Sequence, residues 1–236
     1  MTKNLVAVVT VRKGSERVKN KNFKPFCGQN LLIHKIKVLK KLKQLDEIII
    51  NTDSDKAIKI ARDYGVSSKK REKYYASSQC TNSEFWSNVA KNTDSKFIMF
   101  THCTNPLIKT ETYNKIINIF KKLKSVNDSI NTVTEVKEFL FLNKKPVNFN
   151  PKKAPNSQDL PEVVKLNFAV NILSTKHMHI RKTLVGKKPF FYKLDHIEGY
   201  DINTNIEFEF AEYLFKKYFI NKGVLNRAQR RLNAVA

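Results

Sequence analysis

The chain has 236 residues, 41% of them hydrophobic, enough for one sizeable core, and its 44 basic against 21 acidic side chains leave a formal charge of +23. No run of about 18 apolar residues occurs, so no membrane-spanning helix and no membrane partner are expected. Cys27, Cys80 and Cys103 are too few and too widely spaced for a disulfide framework or a zinc site, and fit a reducing cytoplasm. The first nine residues carry one lysine and no small-residue cleavage site, so a secretory leader is not expected. Such a charge surplus attracts polyanions, either nucleic acid or small anionic substrates. The lysines are spread along solvated stretches such as residues 35–43 and 121–124, with no recognition motif, so nucleic acid is the weaker of the two.

Residues 5–9 form a continuous apolar run, which predicts a strand buried on both faces. A basic, polar segment follows to residue 24. Leu32, Ile36, Leu39 and Leu42 are spaced for a helix over residues 31–42. Residues 48–50 predict a second buried strand, ending at Asn51-Thr52-Asp53-Ser54. Residues 55–64 predict a helix, with Gly65 as its stop. Another helix is expected from near Ser83, a strand over residues 97–100, and an amphipathic helix over residues 111–123. Between residues 137 and 161 four prolines, Pro146, Pro151, Pro155 and Pro161, punctuate the chain and no helix is readable. Strand character resumes over residues 163–173, and residues 206–219 predict a last helix. The tail, residues 221–236, is basic, poorly patterned and expected to be mobile. Strands alternating with helices predict an α/β fold with a mostly parallel sheet and helices on both faces. Residues 1–220 then form a single domain with an excursion over about residues 137–175. Ligands of such sheets bind beyond the carboxyl ends of the strands, so the segments after Val9, Ile50 and Phe100 should share one rim.

The segment after the first strand, Arg12-Lys13-Gly14-Ser15-Glu16-Arg17-Val18-Lys19-Asn20-Lys21-Asn22, holds five basic residues. It suits a triphosphate. Backbone N–H groups around Gly14 can form an anion-binding concavity. Arg12 and Arg17 can pair with phosphate oxygens, and Lys21 can follow charge onto a leaving pyrophosphate. Composition alone leaves open an ordinary basic surface loop, and the segment is not a Walker A loop.

Arg12-x-x-Ser15-x-Arg17-x-x-x-Lys21-Asn22 after an apolar strand resembles the first motif of the CMP-sugar synthetases: the acylneuraminate, pseudaminate and legionaminate cytidylyltransferases, with the Kdo enzymes as relatives. The resemblance continues through Asn51-Thr52-Asp53-Ser54, Ala61-Arg62-Asp63-Tyr64-Gly65, Arg71, and Thr81 with Asn82. It extends to Thr101-His102-Cys103-Thr104-Asn105-Pro106-Leu107, Gln158-Asp159-Leu160-Pro161, Asn167-Phe168-Ala169-Val170-Asn171-Ile172 and Asp201-Ile202-Asn203. It implies a Rossmann-like sheet of the nucleotide-diphospho-sugar transferase type and transfer of CMP from CTP to an acidic, nonulosonate-type sugar. Other acceptors of the class, Kdo-like or phosphonate, and a low-activity paralogue remain rival readings.

By the same resemblance, Arg12, Gly14, Ser15, Arg17, Lys21, Asn22, Arg71, Thr81 and Asn82 bind the nucleotide, with Arg12, Lys21 and Asp201 catalytic. His102, Thr104, Asn105, Gln158, Lys165 and Asn167 are implied to face the sugar, and Asp201 with Asn203 to hold Mg²⁺. The stretch from Gln158 into the following strand implies a homodimer. Several residues depart from the family pattern: Glu16, Lys19, His102, Cys103, Ile108, Phe168, Asn171 and Asn203, the last standing where the family has a second carboxylate. Thr81 with Asn82, and Asn203 together with Thr204, also read as helix caps. His102 and a metal-bound hydroxide stand as alternative bases for the acceptor hydroxyl.

Overall fold

The computed structural model describes residues 2–14, 17–123 and 126–221. Ser15, Glu16 and the tail beyond Asn221 lie outside the described residues. Seven strands build the sheet: β1 (Lys3–Val11), β2 (Glu47–Thr52), β3 (Ser67–Lys70), β4 (Ser95–His102), β5 (Ser129–Val136), β6 (Val163–Ser174) and β7 (Pro189–Lys193). Their order across the sheet is β7-β5-β6-β4-β1-β2-β3. All run parallel except β6, which is antiparallel to both its neighbours, β4 and β5. The mostly parallel α/β architecture is therefore the one expected.

Strand alternation divides the core. Leu5, Ala7, Val9 and Val11 of β1 face one cluster, while Val6 and Val8 face another. On the first face pack helices α1 (Leu31–Leu39), α2 (Asp55–Asp63), α5 (Thr110–Leu123) and α7 (Asn205–Phe215), through residues such as Ile36, Ala61, Ile116 and Phe208. On the second pack α4 (Asn82–Lys91) and α6 (Thr175–Arg181), through Val89, Ala90 and Met178. The short helix α3 (Lys73–Ala76) leads into α4.

Gly65 stops α2 at φ +63°, where a side chain would be strained. Helix α1 ends at Leu39, earlier than predicted, and residues 40–42 close it as tight turns. Helix α7 ends at Phe215 and widens into a π turn over Lys216–Asn221. Residues 137–162 leave the sheet as a hairpin, Phe141–Leu142 against Lys145–Pro146, and two 3₁₀ turns. The last part of the expected excursion, from Val163, is β6 itself, held inside the sheet on both edges.

Candidate active site

The carboxyl ends of β1, β2 and β4 lie side by side, with Thr10 opposite both Asn51 and His102. The loop after β1 therefore passes over the end of β4. A cavity of about 330 Å³ opens there, lined by Thr10, Arg12, Gly14, Arg17, Lys21, Asn22, His102, Cys103 and Thr104. Three cations on one wall make it suited to a polyanion. Its most constrained member is Lys21, which follows Asn20 at φ 54° and starts a 3₁₀ turn. The Lys21 ammonium is nearly buried and donates to the Ile202 carbonyl at 2.5 Å. Burial lowers its pKa, and the nearby Asp201 carboxylate opposes that shift.

Asp201, next to Lys21 and Thr104 of this wall, lines a second cavity of about 480 Å³, together with Thr134, Lys165, Asn167, Tyr200, Asn203 and Glu207 among others. Its Oδ2 accepts from Asn203 Nδ2 at 3.0 Å, while its Oδ1 is buried with no hydrogen-bonding partner among the described residues. Burial raises the Asp201 pKa, against the pull of the Thr104 and Asn203 side chains and Lys21.

A basic cavity suited to phosphates, beside a second cavity that carries a carboxylate with one buried oxygen, is what joining a nucleotide to a second substrate requires. The family model described as cytidylyltransferase matches residues 6–231. The chain belongs to the cytidylyltransferase family. It is thus a nucleotidyltransferase. Among curated relatives it is 22% identical to the post-translational flagellin modification protein B of Campylobacter coli, over 90% of this chain and 95% of that one. It is 22% identical to the CMP-N,N'-diacetyllegionaminic acid synthase of Campylobacter jejuni, over 89% and 94%. It is 20% identical to the N-acylneuraminate cytidylyltransferase of Escherichia coli, over 89% of this chain and 52% of that one. In fold it is similar to a CTP-complexed CMP:2-keto-3-deoxy-manno-octonic acid synthetase, with TM-score 0.70, 10% identity and coverage of 91% and 99%. It also resembles the 4-diphosphocytidyl-2C-methyl-D-erythritol synthase of Anaerococcus prevotii, with TM-score 0.66, 16% identity and coverage of 91% and 96%.

Within this cytidylyltransferase the expected site residues divide by position. Arg12, Gly14, Arg17, Lys21, Asn22, His102 and Thr104 line the first cavity, and Lys165, Asn167, Asp201 and Asn203 the second. Asn105 is fully buried between them, donating from Nδ2 to the Asn167 carbonyl at 2.9 Å and to Tyr200 at 3.2 Å. It positions the walls.

Four residues stand outside both cavities. The Arg71 guanidinium is buried behind the rim, with Nε donating to Asn51 Oδ1 and Nη2 to the Asn51 carbonyl, each at 2.7 Å, and its plane 4.4 Å over the Phe85 ring. Burial pulls its pKa down to about 10. Thr81 caps α4 in a reciprocal box with Glu84, and Asn82 is exposed at the start of that helix. Gln158 is exposed on a 3₁₀ turn of the excursion.

Of Asn203 and Thr204 it is Thr204 that caps α7; the Asn203 and Thr204 N–H groups both donate to Glu207 Oε2 at 2.7 Å. Glu207 therefore reaches the second cavity, a placement that sequence reading missed although Thr204-x-x-Glu207 is a capping-box spacing. Lys35 was also missed. It is 3% exposed and donates to Tyr113 Oη at 2.6 Å and the Asn105 carbonyl at 3.0 Å, beneath the 101–105 segment. Cys103 is buried, and that burial pushes its thiol pKa up to about 12, away from the reactive thiolate.

Proposed function

We propose that this cytidylyltransferase moves CMP from CTP to an acidic sugar of the nonulosonate type, releasing pyrophosphate. The observation that carries the reading is the pairing of Lys21, on the basic cavity, with the neighbouring Asp201, on the second one. The names of the legionaminic acid and N-acylneuraminate relatives support the acceptor class. In this reading Arg12, Arg17 and Lys21 hold the triphosphate, and Lys165 with Asn167 meets the acceptor carboxylate. The acceptor hydroxyl oxygen bonds to the α-phosphorus and pyrophosphate leaves. Catalysis rests on positioning and on charge complementarity built in advance.

Magnesium belongs to the same proposal. The unpartnered, buried Oδ1 of Asp201 is an acceptor that a hard cation satisfies, and the Asn203 amide beside it offers a second, uncharged oxygen. Asp201 and Asn203 would hold the ion, which neutralises phosphate charge when bound. We propose as well that the chain works as a homodimer in the cytoplasm. Its three free cysteines fit that compartment. The dimer contact in this reading is the excursion, where Phe139, Phe141, Leu142 and Val147 are all exposed. No helix among the described residues is long and apolar enough to cross a membrane.

The deciding assay is pyrophosphate release from CTP and Mg²⁺ with sialic, pseudaminic, legionaminic and Kdo acids in turn. Turnover is expected with one of the first three. Turnover with Kdo alone would move the acceptor class. Silence with all four, together with no thermal stabilisation by CTP, would overturn the reading.

A further inference from the structure

Phe168 holds a costly backbone conformation. Its φ is 56°, and it lies between Leu166 and Asn171, where the pairing of β6 with β5 loses register. A bulky L-residue is strained there, whereas glycine would sit there freely. Strain of this kind persists where the surroundings over-determine it, often at functional sites. Here it lays the Phe168 ring flat on the His102 imidazole, with centroids 5.5 Å apart and planes 11° from parallel. Phe100 meets the same imidazole edge-on at 5.2 Å. Phe168 is in turn packed on the core cluster of Ile98, Phe100 and Leu173. His102 thus contacts both rings while it lines the basic cavity beside Arg12, Lys21 and Thr104.

We infer that Phe168 is a positioning residue for CMP transfer, acting through His102, whose ring it holds at the wall where acceptor and α-phosphate meet. This rests on the function proposed above. As the hydroxyl oxygen bonds to phosphorus, the bond to the bridging oxygen breaks and pyrophosphate leaves with its electron pair. The hydroxyl proton passes to an imidazole nitrogen of His102. The ring enters that step uncharged. Burial holds its pKa down at about 4, helped by Lys35 from α1, Lys21 from the phosphate loop and Arg71 behind β3. Bound substrate anions offset those three cations and make the nitrogen a better base.

The test compares Phe168→Gly, which removes the strain with the ring, and Phe168→Tyr, which keeps the stack, each with and without His102→Gln. F168G should lower kcat at least tenfold with the CTP KM unchanged within twofold, and F168Y should retain wild-type kcat. In the His102→Gln background F168G should change kcat less than twofold. A purely structural Phe168 would lower kcat equally in both backgrounds, which overturns the inference. The second readout needs no acceptor. The His102 signal, identified among five histidines by its loss in H102Q, should titrate at least one pH unit higher in F168G. An unmoved titration overturns the positioning role. If the wild type turns over no acidic sugar, a moved titration still upholds the positioning of His102, and the failure belongs to the proposed function.

Discussion

The Lys21 ammonium is 8% exposed, and it donates to the Ile202 backbone carbonyl rather than to a carboxylate. Such a cation is held in place before any ligand arrives, so it stabilises charge that develops on a phosphate without reorganising. Lys21→Ala should therefore cut kcat by roughly 100-fold or more, the scale of losing one preorganised electrostatic donor, in a steady-state assay. His102 carries a pH signature. Its folded pKa lies near 4, below the ordinary 6.5, so the unfolded chain takes up a proton first as pH falls. Stability should decline from about pH 6.5 towards pH 4, by about 1–2 kcal/mol after allowance for the ring's partial exposure. Thermal melts at pH 7 and pH 4.5 should show a smaller drop in His102→Gln; the half-buried His34, whose pKa burial also lowers, accounts for part of the remainder. The cations of the site were legible through the resemblance of their loop to a family motif, since five basic residues after an apolar strand alone leave an ordinary surface loop open. Phe168 was legible only as an oddity. Its meaning lies in a dihedral angle and a neighbour 66 positions earlier, neither of which a local pattern carries.

Among the elements, α7 ties the fold to chemistry. Its cap, Thr204 with Glu207, also fixes the N–H groups of Asn203 and Thr204, and so the segment that presents Asp201. Thr204→Ala should cost about 1 kcal/mol in urea unfolding. It should also raise the Mg²⁺ concentration needed for half-maximal activity, because the Asp201–Asn203 segment loses its anchor. The buried strands β1, β2 and β4 were readable from their apolar runs. Strand β5 was not, because Asn131, Thr132 and Thr134 are buried in it. Their polarity is spent inside the sheet: Asn131 donates to Asn171 Oδ1 at 2.8 Å and to the Leu184 carbonyl at 2.9 Å, and Thr132 to the Val170 carbonyl at 3.0 Å. Hydrophobic periodicity misses a strand whose core is hydrogen-bonded. Strands β3 and β7 were hidden for the opposite reason, since they lie at the sheet edges and carry few fully buried side chains.

For the whole molecule, the excursion is the exposed apolar feature that most needs a cover. Phe141 and Leu142 are 60% and 67% exposed at the tip of its hairpin, while Phe139 and Phe149 pack edge to face behind them. The double variant Phe141→Asp, Leu142→Asp should sediment as a monomer at micromolar concentration where the parent sediments as a dimer, with the helical circular dichroism unchanged. A parent that is already monomeric would remove the dimer from the proposal.

Strand β6 gives the molecule an order of assembly. It is antiparallel between β4 and β5, and residues 171–174 must find partners near residues 97–100, more than seventy positions back. Contacts that distant close slowly, because the chain pays loop entropy before they form. The basic loop and β1, β2 and β4 lie within the first 102 residues, whereas the second cavity waits for β6 and for Asp201 beyond it. During synthesis the half that carries the basic loop therefore leaves the ribosome well before the half that lines the second cavity, and the strand that joins them sits inside the sheet.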